Sequence, residues 1–383
     1  MNKKPIAMGY ARKDGGKGIR NKVLLINTTS CADEVSRRIT EHYHQLGFPV
    51  DYMGCECCEN DEDLYRSDLC YVNHQNVGAV LAVGMGCEPF PTAKLAEAAR
   101  EAGKPGAVLF IRDAGGTEKA VEEGIRIVDG MLEELKHTPR VPVYLSDLSF
   151  GAECGGSDFT SGLAANPLVG RFYDRVVKAG GTAMFEEIYE AVGLRDYLLS
   201  RCANEHARQQ MAETYDRMFA GAKAAGQFSI SPGNMRGGLT SVEEKSMGAT
   251  AKSGTMPIEG VITAGHKPPH KGLWCMFGPT YFRCFGTGGD ATAGTTFGSC
   301  GAHITFLTSG RGHITNNVLS VLVKITGNAR TYQTLQDDVD VNASVVLTGE
   351  KTLDELEEDL YGLVCRIADG ELTKGERSGH YEW

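Results

Sequence analysis

The first 145 or so residues alternate between short apolar runs rich in branched side chains and stretches with helical spacing, a pattern compatible with few folds. Val23 to Thr29 is the first apolar run, and Ala32 to Leu46 follows with helical periodicity. Val77 to Gly84 and Ala107 to Ile111 repeat the strand pattern, with helical stretches near Thr92 to Ala102 and Glu118 to Leu135. Strands alternating with helices imply a mostly parallel sheet covered on both faces, with ligands favoured where the carboxyl ends of strands meet loops. Cys31, Gly54-Cys55, Gly86-Cys87-Glu88 and Asp113-Ala114-Gly115-Gly116 fall at that edge. None forms a dinucleotide fingerprint, and no Walker lysine motif occurs.

Pro139 and Pro142 interrupt a helical stretch and a fresh apolar run begins, which places a boundary near Thr138 to Val143. A chain of 383 residues is also more naturally two domains than one. The expected architecture is therefore α/β: a Rossmann-like parallel-sheet domain over residues 1–142 and a larger α/β domain over residues 143–383. In the second part, helical signals at Leu168 to Ala179 and Asp196 to Ala225 give way to a glycine- and threonine-rich stretch from Ser229 to Gly312. Apolar runs at Gly260 to Ala264, Leu273 to Phe277 and Ile304 to Leu307 argue that this stretch is packed rather than a linker.

The formal net charge of -10 and the lack of a basic stripe argue against nucleic-acid binding. No segment approaches the roughly 20 apolar residues that cross a membrane, and no signal-peptide core is seen, so a cytoplasmic protein is expected. Free thiols are the expected state of the twelve cysteines in such a chain. The densest cluster, Cys55-Glu56-Cys57-Cys58, lacks the paired Cys-x-x-Cys spacing of a zinc site.

Ser231 to Gly248 concentrates acid, base and amide groups around backbone punctuation. Pro232 and Gly233 force a turn, Gly237 and Gly238 allow close approach of backbone to a ligand, and Thr240 or Ser241 can cap a helix running through Glu243, Glu244 and Lys245. Spacing alone also fits a capping box before a solvated helix.

The order of residues in this run, Ser-Pro-Gly-Asn, Gly-Gly-Leu-Thr and Glu-Glu-Lys-Ser, resembles the signature of the altronate and galactarate dehydratase family of sugar-acid lyases. Three further segments agree. Gly9 to Asn21 is similar to the family's opening Arg-x-Asp-Gly-x-x-Gly-x-Arg-Asn pattern. Cys154-Gly155-Gly156-Ser157-Asp158, Ser161-Gly162 and Ala165-Asn166-Pro167 resemble a second hallmark. Thr308-Ser309-Gly310-Arg311-Gly312 and Asp338 to Asn342 resemble the closing motifs.

The resemblance implies β-elimination of water from a polyhydroxy acid to give a 2-keto-3-deoxy acid, with a divalent metal, iron(II) or manganese, as cofactor. Such chemistry needs stabilisation of an enediolate, a base near neutrality and an acid for the leaving hydroxyl. Glu243, Glu244 and Lys245 are the catalytic candidates. Neighbours on a helix point about 100° apart, so all three cannot face one substrate; the preferred assignment is Lys245 as cation or depressed-pKa base with one glutamate as partner. Ser157, Asp158, Asn166, Asn234 and Arg311 are candidate substrate contacts, with Arg12 and Arg20 as further carboxylate binders or domain bridges. Asp158 either ligates metal, binds hydroxyls or caps the following turn. His266 and Asp290 complete the candidate metal set with Asp158. His270 shares a metal-like spacing with His266, but Pro268-Pro269 rules out the continuous helix that would align the two rings. His303 and His313 are read equally as structural.

Two segments depart from the family pattern. Leu194-Arg195 stands where many members carry a carboxylate, and Gly278-Pro279-Thr280 is followed by an extended stretch to Gly289. An altered pocket and substrate charge preference are expected from both. The small amino-terminal SAF domain of the longer dehydratases is not found in this sequence, which suggests a separately encoded small subunit or independence from one. The chain is expected to form a homo-oligomer acting on an anionic small molecule. The rival readings are the large subunit of a sulfolactate sulfo-lyase, for which Arg195 would suit the sulfonate, and a noncatalytic sugar-acid-binding subunit.

Overall fold

The computed structural model describes residues 4–54, 62–224, 232–277 and 290–380. Cys55, Cys57 and Cys58, Ser231 and the Gly278 to Gly289 stretch lie outside these residues, whereas Pro232 and Gly233, expected to force a turn, open the short helix Pro232–Arg236. The chain divides into two compact units, Pro5–Val143 with Ala368–Gly370, and Tyr144–Ile367 with the residues from Glu371 on.

In the amino-terminal unit the strands are β1 (Ala7–Ala11), β2 (Lys17–Gly18), β3 (Lys22–Asn27), β4 (Val50–Met53), β5 (Val77–Gly84), β6 (Gly106–Phe110) and β7 (Arg140–Val143). Four of them form a parallel sheet in the order β4-β3-β5-β6. Helices Asp33–Gln45, Glu62–Val72 and Thr92–Glu101 make the crossovers. Val23, Leu25, Leu81 and Val83 from the sheet pack with Val35, Ile39 and Tyr43 of the first helix and Val121 and Val128 of helix Thr117–Leu135. A second, antiparallel sheet was not anticipated from the sequence. There β1 pairs with both β2 and β7, so the apolar run after Pro139 returns to the first unit instead of opening the second.

The carboxy-terminal unit is built on β8 (Ser149–Cys154), β9 (Thr182–Phe185), β10 (Ile258–Thr263), β11 (Gly272–Phe277), β12 (Ile304–Thr308), β13 (Val321–Thr326) and β14 (Val341–Asn342). All pair in parallel, in the order β10-β11-β9-β8-β12-β13-β14. The core beside β8 is aromatic: Phe150 and Phe306 stack with ring centroids 5.9 Å apart, and Phe172 meets both edge-on. From β8 the chain winds toward β9, β11 and β10, and then returns to place β12 on the opposite side of β8. A ligand crevice is expected outside the carboxyl ends of the strands where winding reverses. Those ends are Cys154 and Thr308.

Asp68, on helix Glu62–Val72, is buried, and its Oδ2 has no hydrogen-bond partner among the described residues. Burial pushes its pKa up to about 8. The native state therefore holds a proton that the unfolded chain releases near its ordinary carboxylate pKa, so stability falls as pH rises from about 4 to about 8. Asp68→Asn is expected to stabilise the protein at pH 8 by roughly 2 kcal/mol or more and to match it near pH 4. Thermal unfolding of both proteins at the two pH values checks this.

Candidate active site

Helix Val242–Thr250 starts as its sequence demands. Ser241 Oγ accepts the Glu244 N–H at 3.2 Å, and the Glu244 carboxylate accepts the Thr240 N–H at 2.8 Å. Glu243 and Glu244 therefore sit on the exposed face, and Glu244, besides capping the helix, is with Lys245 among the residues lining a pocket. Lys245, one step further round, points inward and is only 3 % exposed. Its ammonium donates to Ser157 Oγ at 2.6 Å and pairs with Glu190 Oε1 at 2.7 Å. The carboxylate partner of Lys245 is thus Glu190, not Glu243 or Glu244. Burial pushes Lys245 toward neutrality, but the negative field of Glu190, with Cys154 and Glu153 behind it, outweighs that and holds its pKa above the ordinary lysine value. Of the two roles read from the sequence, the cation is the one this environment supports.

This helix lies against a single π-helical turn, Ser161–Ala165, of the kind that recurs at functional sites. The approach depends on two glycines: a Cβ at Gly162 would stand 2.8 Å from the Gly248 Cα. Asn166, at the end of the π turn, is buried and spans three elements. Its amide donates to Gly248 O at 2.9 Å and lies 3.6 Å from Cys154 Sγ, while Thr308 donates to its Oδ1 at 2.5 Å. Asn234 donates to Ser157 O at 3.0 Å. Ser157, Asp158, Leu163, Asn166, Lys245 and Met247 are among the residues that line a pocket of about 350 Å³.

Asp158 is buried at this pocket, but its carboxylate is occupied. Oδ1 accepts the Thr160 N–H at 2.9 Å, the Thr160 hydroxyl at 2.5 Å and the Ser161 N–H at 3.1 Å, and Oδ2 accepts from Asn328 at 2.8 Å. Of the roles read for Asp158 from the sequence, these contacts are those of the turn cap. His266 follows β10, at the far edge of the sheet and three strands from β8. It is exposed, with Nδ1 near Thr263 Oγ1 and the Ala264 carbonyl. Asp290 begins helix Asp290–Ser299, and its side chain lies outside the description. Arg311 is exposed beside Gly156, whose carbonyl accepts its N–H at 3.1 Å. Arg195 is committed to a two-pronged pair with Asp216. His303 is buried and accepts the Ser149 N–H.

Arg12 and Arg20 belong to the amino-terminal unit. The Arg12 guanidinium donates to Gln75 O, Asn21 Oδ1 and Arg20 O, tying the β1–β2 hairpin to the parallel sheet's loops, and burial lowers its pKa to about 10. Arg20 donates to the carbonyl of Ile19. These contacts are structural struts.

The residues that sequence reasoning missed stand behind Lys245. Cys154, Glu187 and Glu190 are buried at the ends of β8 and β9, and bring one sulfur and two carboxylate oxygens within 4.8 Å of one another. Cys154 Sγ is 2.9 Å from Ser157 Oγ. Glu187 accepts the Cys154 N–H at 3.0 Å and pairs with the buried ammonium of Lys252. Glu187 is also the one non-glycine residue with positive φ among the described residues, at 70°. A side chain held there costs of order 1–3 kcal/mol and persists only where its surroundings over-determine it. Their sequence signals were Glu153 inside the apolar run Phe150 to Cys154 and the acids Glu186, Glu187 and Glu190 directly after β9.

Residues 145–383 match the family described as D-galactarate/altronate dehydratase, C-terminal, and residues 9–136 match D-galactarate dehydratase/altronate hydrolase, second domain. The chain belongs to the galactarate and altronate dehydratase family. It is 28 % identical to the altronate dehydratase of Bacillus subtilis (strain 168), over 98 % of this chain and 76 % of that protein. It is 29 % identical to the (2R)-sulfolactate sulfo-lyase subunit beta of Chromohalobacter salexigens, over 98 % of this chain and 96 % of that protein. The galactarate dehydratase (L-threo-forming) of Escherichia coli K12 is 30 % identical over 76 % of this chain and 56 % of its own length. Within this dehydratase family framework, the motif-bearing residues Ser157, Asn166 and Lys245 converge on one pocket.

Gly310, in one of the family motifs, is required by contact: a Cβ there would stand 2.0 Å from the Asp158 Cγ. Gly310→Ala is expected to displace Asp158 and cost about 1–3 kcal/mol, whereas Gly130→Ala, on an open helix surface, should be neutral or stabilising by up to about 1 kcal/mol. Chemical denaturation of both variants checks the contrast.

Proposed function

We infer that the protein is a lyase that removes the proton beside the carboxylate of a polyhydroxy acid and expels the neighbouring β-hydroxyl, leaving an enol that rearranges to a 2-keto-3-deoxy acid. The observation that carries this reading is Lys245: a buried lysine kept cationic by Glu190 and lining, with Ser157, a pocket of about 350 Å³.

The weak acidity of a proton next to a carboxylate sets the task, because negative charge accumulates on that carboxylate as the carbon–hydrogen bond breaks. The Lys245 ammonium receives the substrate carboxylate and opposes this charge, in a site where partial exclusion of water strengthens the attraction. The Ser157 hydroxyl, held between Lys245 Nζ and Cys154 Sγ, keeps both oriented. Asn166 is fixed by Gly248 and Thr308 and keeps the π turn from drifting under the substrate.

The donor set behind Lys245 fits a divalent cation. Among the described residues, the carboxylates Glu153, Glu186, Glu187 and Glu190 and the ammoniums of Lys245 and Lys252 are buried in this region. Cys154, Glu187 and Glu190 would hold the ion, and a thiolate with two carboxylates suits iron(II) or manganese. Such an ion supplies Lewis-acid stabilisation of the enediolate.

A second reading, elimination of sulfite from a sulfolactate, is favoured by the near full-length match to a sulfo-lyase subunit, whose name also motivates assaying the chain with a separate partner subunit. Anaerobic turnover with iron(II) or manganese against hexonates, hexarates and 3-sulfolactate tests both: a 2-keto-3-deoxy acid is expected, and sulfite with pyruvate would establish the second reading. Lys245→Met is expected to lower kcat by at least about 1000-fold, as loss of a preorganised charge does, and Glu243→Ala to leave it within about twofold. An active Lys245→Met enzyme would overturn the role given to this residue.

A further inference from the structure

The two buried lysines of the cluster differ in what they can reach. Lys245 lines the pocket, whereas Lys252 does not; it lies in the short turn Ala251–Ser253, 1 % exposed, with its ammonium against the Glu187 carboxylate. That turn is tightly seated. A Cβ at Gly170 would come within 2.2 Å of the Ala251 carbonyl, and Arg201 donates to both Ser253 Oγ and Ser253 O. Lys252 is therefore delivered to Glu187 by a rigid support, and has no route to a substrate in the pocket.

Glu187 needs such a partner. Its backbone sits in the left-handed region at φ 70°, ψ 39°, and its side chain is buried beside Glu190 and Cys154. A buried carboxylate without a counter-charge would leave the acid cluster strongly repulsive, and removal of one member of a buried pair is strongly destabilising. Yet Glu187 is also one of the three donors suited to the divalent ion. An ammonium bound to a metal-ligating carboxylate competes with the metal for the same negative charge.

We propose that Lys252 is the built-in counter-ion of the metal site, holding Glu187 in its strained, ligand-ready conformation when no metal is bound and lowering the affinity of the site for the ion that replaces it. Lys252 is thus a positioning residue whose charge trades metal affinity for stability of the metal-free fold. The proposal rests on the reading of Cys154, Glu187 and Glu190 as the metal site.

The test is titration of Mn2+ into metal-free full-length protein by calorimetry, with thermal unfolding of the same samples. Wild type should bind one Mn2+, Cys154→Ser should weaken that binding at least tenfold, and Lys252→Arg should behave as wild type. Lys252→Met should lower the Tm of the metal-free protein by several degrees, bind Mn2+ at least tenfold more tightly, and show a larger Tm gain on adding Mn2+. If Lys252→Met folds only when prepared with Mn2+, the proposal is supported. Failure of Mn2+ to restore its fold, or an unchanged or weaker Mn2+ affinity in the folded variant, would overturn it. Absence of Mn2+ binding in wild type would instead overturn the metal reading itself, which separates the two failures.

Discussion

The buried pairing of Lys245 with Glu190 and of Lys252 with Glu187 is the constraint on which the carboxy-terminal unit depends. Each ion costs several kcal/mol to desolvate, and that cost is offset only when geometry and additional hydrogen bonds are good. The structure meets both conditions. Ser157 takes a second bond from Lys245, the Cys154 N–H takes a second position on Glu187, and both carboxylates come from the segment directly after one strand. Charges so placed contribute little to stability over an apolar core.

Sheet topology explains why these groups meet. Winding reverses between β8 and β12, which opens the carboxyl ends of the central strands to loops from both halves of the sheet. Cys154 closes β8, Glu187 and Glu190 follow β9, and Thr308 closes β12. The helix bearing Lys245 is pressed onto this edge by the contact of Gly248 with Gly162, and Gly310 leaves room for Asp158 to cap the turn beneath. The glycines of the family motifs are thus spacing elements. Their absent side chains set how close the lysine and the pocket floor can come.

Much of the fold was legible because apolar periodicity reports burial directly. The run Val23 to Thr29 overlaps β3 apart from its first residue, Val77 to Gly84 coincides with β5, and the expected helices at Ala32 to Leu46 and Glu118 to Leu135 lie within a residue or so of those observed. Helical spacing from Asp196 to Ala225 concealed a break between Arg195–Ser200 and Glu205–Ala224, where a bridge from Cys202 to Ile258 interrupts the helix. The site was only half legible. Ser157, Asn166 and Lys245 stand in motifs and line the pocket, with Asn234 bonded to Ser157, but Glu187 and Lys252 meet only through tertiary contact of segments 65 residues apart. His266 was a metal candidate by its spacing from His270 and Asp158 by its motif; the first is exposed beyond β10 and the second caps the turn at Thr160 and Ser161.

The most direct test of this account is crystallography of the enzyme soaked anaerobically with Mn2+, with data collected to locate the ion by its anomalous scattering. A single strong peak bonded to Cys154 Sγ and to carboxylate oxygens of Glu187 and Glu190, beside a pocket still floored by Lys245 and Ser157, is the predicted result. A peak on Asp158 or His266, with Glu187 and Glu190 still paired only to their lysines, would contradict it.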